Sequence, residues 1–323
     1  MSISYKNKAS NLKKNMNNTY IIALQELLLS DEIMAFVDFC RKTTGEFPDK
    51  ATDWLHIIRE NKKIGRDDIS LNEIQKVLSF TRRIVDTSME QGIGITTFFD
   101  DDFPEMLKNI KSHKRNAHPY VLYYKGNLKN VSEMEAIAII GTRNPTDEGI
   151  KMGEYYGEYF AKKGFNIVSG LAMGCDTAAH KGALKANGMT TAFVAHGLDI
   201  VYPPQNEWLA EKIIASNGAI ISEYAIGTPV SSFNLTERNR LQAGLSDAVI
   251  LVQTDIKKGG SMHAINIAIE NKKPVFAVQF DNERINSHQM SLGNAKLINE
   301  KKAIPLTPDN KEKVIEAIDE NNM

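Results

Sequence analysis

From residue 19 to about 91, apolar residues recur every three or four positions. Ile21-Ile22, Leu24-Gln25 and Leu27-Leu28 open the run, with the spacing that one buried helix face requires. Further helical stretches are expected over Ile33–Arg41, with Asp31 as its cap, and over Trp54–Glu60 and Leu71–Ser88. Thr44-Gly45, Pro48 and Gly65 mark the turns between them. Gly92 to Leu128 reads as a connecting region. It holds short strands at Ile93–Thr96 and Pro119–Gly126, a helical turn at Met106–Ile110, and a basic surface loop from Lys111 to His118.

The pattern changes at Ala136. Apolar, β-branched runs now alternate with helical segments. Strands are expected at Ala136–Ile140, Asn166–Ser169, Thr190–Ala195, Ala219–Ser222, Ala248–Val252 and, last, Pro274–Val278. The helices between them are Gly149–Lys163, Thr177–Ala186, Glu207–Ser216, Thr236–Gly244 and Gly260–Asn271. Strands with no polar alternation are buried on both faces, so the sheet is parallel and helices cover it on both sides. The fold class is therefore α/β, a Rossmann-like domain preceded by a small helical domain. Three segments follow: an amino-terminal arm at 1–18, a helical domain at 19–91, and an extended Rossmann-like domain at 92–323.

Right-handed crossovers bring all the strand carboxyl ends to one edge, where such sheets bind ligands. The residues at that edge are unusual. The first strand ends in Gly141-Thr142-Arg143, and the second in Ser169-Gly170-Leu171-Ala172-Met173-Gly174-Cys175-Asp176. The third ends in His196-Gly197-Leu198-Asp199, followed by Tyr202-Pro203-Pro204. The fifth leads through Lys257-Lys258-Gly259-Gly260-Ser261 into a helix. Glycines let backbone N–H groups approach a ligand, and helix amino termini add partial positive charge, which suits phosphate. Arg143 offers a two-pronged donor to a phosphate. Arg238-Asn239-Arg240 opens a helix near the same edge, and Glu223, at the end of the fourth strand, is placed to hold a base such as Arg238. Asp176 is a candidate cap for the helix after it.

Other chemistries are disfavoured. Neither G-x-G-x-x-G nor G-x-x-x-x-G-K-[ST] occurs, which argues against NAD binding and ATP hydrolysis. Ser169, His180 and Asp176 include the types of a catalytic triad, but Ser169 is not on a G-x-S-x-G elbow, and His180 is read as a structural or surface residue. No Cys/His cluster has zinc spacing, so neither a metal nor a cofactor is expected. Cys40 and Cys175 fit reduced cytosolic thiols. No apolar run approaches the roughly 20 residues of a membrane span, and residues 1–18 have no signal-peptide core.

Charge tempers the phosphate reading. The net charge is −1, with 20 basic against 17 acidic residues up to position 130 and 19 against 23 beyond it. A nucleic acid would have to be held by a local patch rather than by a basic surface.

Together, the ordered motifs resemble the DprA/Smf family of DNA-processing proteins. The matching pieces include Leu122–Gly126, Ile139–Arg143, Ile167–Ala172, Gly174–Asp176, Gly197–Asp199 with Tyr202-Pro203-Pro204, Arg238-Asn239-Arg240 with Ala243–Ser246, Gly260-Ser261 and Gly293-Asn294. They span about Gly92 to Ala303. The resemblance implies a SAM-like helical domain ahead of the Rossmann domain. It implies single-stranded DNA binding without catalysis, homodimerisation, and loading of a RecA-type recombinase in recombination or natural transformation. Its DNA pocket would fall on Arg143, Ser169, Gly170, Arg238 and Arg240. With the strand-end loops, the candidate phosphate site comprises Gly141, Thr142, Arg143, Ser169, Gly170, Leu171, Gly174, Asp176, Gly197, Arg238, Asn239, Arg240, Lys258, Gly260 and Ser261.

Departures from the family pattern are Met173 in place of an arginine, Leu235-Thr236-Glu237 in place of Phe-Pro-Arg, His196 in place of a threonine, and Met262-His263 after Gly260-Ser261. Two of them remove a positive charge, and Glu237 adds a negative one. An alternative reading is an antitoxin paired with a cognate toxin, or a nucleotide-signal sensor, in phage defence. A nucleotide-cleaving enzyme of the same superfamily would carry Pro-Gly-Gly-x-Gly-Thr, which is absent.

Overall fold

The computed structural model describes residues 17–256 and 260–322. The arm expected at 1–18 lies, up to residue 16, outside the described residues, and positions 17 and 18 are already helical. Two compact units divide after Asp100.

In the first unit, residues 17–27 form helix α1. α2 (Ser30–Thr43), α3 (Ala51–Glu60), α4 (Leu71–Glu90) and the short strand β1 (Gly94–Thr97) follow. The apolar spacing read from the sequence gathers Tyr20, Phe36 and Trp54 into one aromatic cluster. The Trp54 ring lies 4.9 Å from Phe36 and 5.6 Å from Tyr20, and the indole N–H donates to the Pro48 carbonyl at 2.8 Å. Ser70 caps α4 by accepting from the Glu73 amide. Asp31 does not cap α2. That helix starts earlier, with Leu29 at the cap position, and the Glu32 carboxylate reaches back to the Leu29 amide at 2.8 Å. Asp31 lies in the first turn, where an acid still favours the helix dipole.

The second unit opens with α5 (Glu105–Lys108), β2 (Lys111–Ser112), β3 (Arg115–Asn116), β4 (Val121–Gly126) and α6 (Leu128–Glu133). The basic stretch from Lys111 is thus a two-stranded hairpin rather than a loop. The alternating part follows as β5 (Ala136–Ile140), α7 (Asp147–Lys162), β6 (Asn166–Ser169), α8 (Cys175–Lys185), β7 (Thr190–Val194), α9 (Glu207–Ala215) and β8 (Ala219–Ser222). Then come α10 (Ser232–Glu237), α11 (Asn239–Leu245), β9 (Ala248–Leu251), α12 (Ser261–Glu270), β10 (Val275–Val278), α13 (Glu283–Asn286), α14 (Leu292–Asn299), β11 (Ile304–Leu306) and α15 (Lys313–Asn322).

Two expectations change here. Val275–Val278 is not the last strand, because β11 pairs beside it in parallel register. The single helix expected over Thr236–Gly244 is two helices meeting at Arg238.

The strands of this unit are ordered β4-β8-β7-β6-β5-β9-β10-β11. All pairs from β8 to β11 are parallel, and β4 runs antiparallel to β8. From β5 the chain steps through β6 and β7 to β8 in one direction. From β9 it steps through β10 to β11 in the other. With right-handed crossovers, α7, α8 and α9 cover one face, and α12, with α11 beside it, covers the opposite face. Every residue of β5 and β9 is buried, as helices on both faces require. On the α7 face, Ile137, Ile139, Tyr156, Phe160 and Phe276 pack with Val314 and Ile318 of α15. The direction of travel reverses between the neighbouring strands β5 and β9, and that reversal positions the site.

Candidate nucleic-acid interface

A crevice opens where the carboxyl ends of β5 and β9 diverge, the place where doubly wound sheets hold ligands. Its volume is about 600 Å³. Gly141, Thr142 and Arg143 enter it from the end of β5, Ala172 from the β6–α8 connection, Asp176 from the first turn of α8, and Thr254 and Asp255 from the end of β9. Leu235, Arg238, Asn239 and Gln242 form the wall from α10 and α11, Gly260 and Ser261 bring the start of α12, and Gln289 and Met290 close the far side.

The two arginines in the crevice differ in character. Arg143 is exposed. Arg238 is only 4% exposed, and its Nη1 donates to the Gly170 carbonyl at 2.6 Å and to the Phe193 carbonyl. The close approach explains Gly170: a Cβ there would lie 2.0 Å from Arg238 Nη1. Burial brings the Arg238 guanidinium down to about 10, against the opposing pull of Asp176. Burial in turn raises the Asp176 carboxyl above its usual range, with Arg238 working against the rise. Asp176 is not the cap of α8. The helix starts at Cys175 after Gly174, and Asp176 lies in its first turn, where its carboxylate accepts from the Ala172 amide at 3.3 Å. Gly174 has φ +83, and a Cβ would stand 2.6 Å from the carbonyl oxygens of Thr142 and Arg143. The second strand-end loop thus lies directly against the first.

The structure brings Gly141, Thr142, Arg143, Asp176, Arg238, Asn239, Gly260 and Ser261 together in the crevice. Gly170 borders a smaller annex of about 120 Å³ that it shares with Arg143 and Arg238, and which Met173, Tyr202 and Leu235 complete. Other candidates lie elsewhere. Ser169 is fully buried and donates to the Ile139 carbonyl at 2.7 Å, tying β6 to β5. Leu171 is buried at φ +60, and Gly197 packs beneath Asp199 and Ala225. Lys258 lies outside the described residues. Glu223 holds Arg240 rather than Arg238, through two 2.5 Å contacts, and Arg240 Nε donates to the Ala117 carbonyl. Its guanidinium is spent on the fold.

Sequence reasoning passed over Gln242, Gln253, Thr254, Asp255, Gln289 and Met290. Gln253 is buried and joins three segments. Its Oε1 accepts from the Thr146 amide at 2.9 Å, and its Nε2 donates to Ser291 Oγ at 2.9 Å. Gln289 Nε2 donates to Asp255 at 3.0 Å, and Thr142 Oγ1 lies 3.7 Å from Met290 Sδ. The available signal was position alone: Gln253 to Asp255 directly follow an apolar strand. His180 is fully buried, its Nδ1 is 2.6 Å from Thr190 Oγ1, and it takes no part in the crevice.

Chemically the crevice offers an exposed guanidinium, a glycine-lined strand end and the amino end of α12, whose first turn holds no acid. Asp176 and Asp255 temper its positive charge. Among the described residues, no group of His, Cys, Asp or Glu is arranged to hold a metal ion, and no helix is long and apolar enough to cross a membrane.

Comparison with known proteins agrees with this architecture. The family model for DNA recombination-mediator protein A matches residues 94–319. Protein Smf of Synechocystis sp. is 41% identical over 182 residues, covering 55% of this chain and 44% of its own, so this chain spans less than half of that relative. The X-ray structure of DNA processing protein A from Streptococcus pneumoniae superimposes with a TM-score of 0.71 at 26% identity, covering 91% of this chain and 96% of that one. The structure of DNA processing protein A from Helicobacter pylori, which addresses that protein's single-stranded DNA binding mode, matches at TM-score 0.59 and 30% identity, over 70% of this chain and 96% of that one.

Proposed function

Since the chain belongs to the DNA recombination-mediator protein A family, we propose that it binds single-stranded DNA in the crevice between β5 and β9 as a step in DNA processing and recombination. The observation that carries this reading is the exposed Arg143 at the switch point of the sheet, beside a glycine strand end and the amino end of α12. Arg143 is the phosphate ligand. Arg238 shapes the floor from below and adds field rather than a free donor fork. Gly141, Thr142, Gly260 and Ser261 present backbone and hydroxyl groups. The protein acts in the cytoplasm by binding and handing over DNA, without catalysis. It works as a homodimer, with a RecA-type recombinase as the recipient of the strand.

Fluorescence anisotropy with a labelled oligothymidylate at low salt tests the binding. Saturable binding is expected, and its absence at tens of micromolar defeats the reading. Light scattering tests the dimer, which is contradicted by a mass that stays near the 36.1 kDa of one chain at every concentration.

A further inference from the structure

The chain has two tryptophans, and they are opposites. Trp54 is fully buried in the helical unit, whereas Trp208, the second residue of α9, is 41% exposed. A single exposed apolar side chain needs no explanation, but the setting of this one does. Two lysines bracket it. Lys181 of α8 holds its Nζ 5.6 Å from the ring centroid, and Lys212, one turn further along α9, holds its own at 5.5 Å. Both distances are within the range of a cation–π contact. Both lysines are exposed and, among the described residues, neither makes an ion pair. Lys185, one turn beyond Lys181, is committed to Glu158 at 2.7 Å. Glu207 and Glu211, the acids of α9, line a separate hollow together with Lys125.

Short connections tie this ring to the crevice. The segment from β7 to α9 carries Tyr202 and Pro203 into the annex beside Arg143 and Arg238. It then turns through Pro204–Asn206 directly into α9. Asn206 is buried and fixes that turn: its Nδ2 donates to the Leu171 carbonyl at 2.7 Å and to Thr177 Oγ1 at 2.9 Å. Thr177 and Lys181 are four residues apart on α8 and so share a face of that helix. The clasp that seats the turn against the second strand-end loop thus also brings the start of α9 beside Lys181. Met173 and Tyr202 are exposed along this route. The order outward is Arg143 in the crevice, Tyr202 at the annex, and Trp208 between its lysines.

We propose that Trp208, Lys181 and Lys212 form a second contact for single-stranded DNA, which takes one base and its flanking phosphates as the strand leaves the crevice past Tyr202. The proposal rests on the reading that the crevice binds single-stranded DNA. An indole face accepts any base by stacking. The two ammonium groups, on long flexible stems, move from the ring to the phosphates beside that base. Aromatic rings interleaved with basic side chains are how single strands are held without regard to sequence. A duplex fits less well, because its bases are already stacked on one another. The contact also adds two positive charges to those of a crevice tempered by Asp176 and Asp255.

The test uses the full chain and an oligothymidylate of roughly 20 nucleotides, longer than common single-strand site sizes. Affinity is measured across a salt series for wild type, Arg143→Ala, Trp208→Leu, Trp208→Phe and the double variant K181Q/K212Q, and tryptophan emission is followed in the same titrations. Trp208→Leu should weaken binding roughly fivefold or more, as the loss of one stacked base implies, with the salt slope unchanged. Trp208→Phe should recover part of that loss. K181Q/K212Q should flatten the slope by about 0.7 per lost phosphate contact. The oligomer should change the emission of wild type but not of Trp208→Leu, because the remaining Trp54 is fully buried. If Arg143→Ala weakens binding while the Trp208 and lysine variants bind as wild type does, the second contact is refuted and the crevice reading stands; lysines that only brace α8 against α9 would give this result. An emission change that persists in Trp208→Leu refutes it equally. If the Trp208 and lysine variants bind weakly while Arg143→Ala binds as wild type does, the contact at Trp208 holds and the crevice reading falls. If wild type does not bind, both fall. The substituted side chains are exposed, and melting temperatures measured alongside confirm that each variant is folded.

Discussion

Arg240 and Glu223 meet fork to fork. Nη1 lies 2.5 Å from Oε2 and Nη2 lies 2.5 Å from Oε1, with the side chains 12% and 15% exposed. The pair fastens α11 to the chain just beyond β8. The two arginines flanking Asn239 therefore have different duties, although the sequence presents them as equivalents. Arg238 goes inward to the floor of the crevice, and Arg240 goes to Glu223.

Removing one partner of a buried pair leaves an uncompensated charge, a loss of about 3–5 kcal/mol. Arg240→Met should lower the midpoint of urea unfolding accordingly. Affinity for single-stranded DNA, corrected for the folded fraction, should stay at the wild-type value. A weakened affinity in fully folded Arg240→Met protein would return Arg240 to the binding site.

Arg143 should behave in the opposite way. With Glu223 committed to Arg240, Arg143 is not the partner of that carboxylate, so the proposed ligand role carries no dependence on it. A hydrogen bond to a charged group contributes roughly 1.5–3 kcal/mol, so Arg143→Ala should weaken binding about tenfold or more. Arg143→Lys should recover only part of it, because an ammonium lacks the planar fork. A destabilised Arg143→Ala protein with unchanged dissociation constant would overturn the assignment.

The contrast between these two arginines shows what could be read from the sequence. Strands such as Ala136–Ile140 and Ala248–Leu251 were legible because continuous apolar runs have one reading in a covered parallel sheet. The strand-end loops were legible because the topology puts them on one edge. Side-chain commitments were not legible. Nothing in Arg-Asn-Arg says which guanidinium turns inward, and nothing around Ser169 says that its hydroxyl ties β6 to β5. Met290 was not legible for another reason: it reaches the crevice from a segment with no glycine or charge pattern, and Gln253 stays buried, tying Thr146 to Ser291. The hairpin is not legible in the sequence because His113-Lys114 is not a turn-forming pair, and Glu270 and Asn271, distant in sequence, hold it in that form.

Gly170 tests the seat of Arg238. A methyl group there would collide with Arg238 Nη1 and with the Gln242 amide, the nearest contacts being 2.0 and 2.3 Å. Gly170→Ala should expel the guanidinium from the Gly170 and Phe193 carbonyls, and should reduce both stability and DNA affinity. Gly164→Ala is the control. It has positive φ but open space around its Cβ, so it should reduce stability alone. Equal DNA affinity in the two variants, per folded molecule, would show that the position of Arg238 does not matter to binding.

His180 makes the fold sensitive to acid. It is fully buried, and Thr190 Oγ1, 2.6 Å from its Nδ1, already donates its own proton to the Ile167 carbonyl at 2.6 Å. The imidazole must therefore be the donor through Nδ1, and buried Nε2 has no partner. Protonating Nε2 would place a charged, unpaired N–H in the core. Burial first, and Arg238 second, bring the folded value from 6.5 down to about 3. The sign follows from proton counting. Between about 3 and 6.5 the unfolded chain binds a proton that the native state refuses, so unfolding gains as pH falls, whereas above 6.5 neither state binds it. Within that window the contribution approaches about 1.4 kcal/mol per pH unit. Other groups titrate there as well, so the measure is the difference between wild type and His180→Gln, followed by urea unfolding from pH 8 to pH 4. The two proteins should keep a constant gap above about pH 6.5. Below it, wild type should lose stability more steeply than the variant. Parallel curves down to pH 4 would mean that His180 accepts its proton in the native state, and that the buried imidazole is not what makes the fold acid-labile.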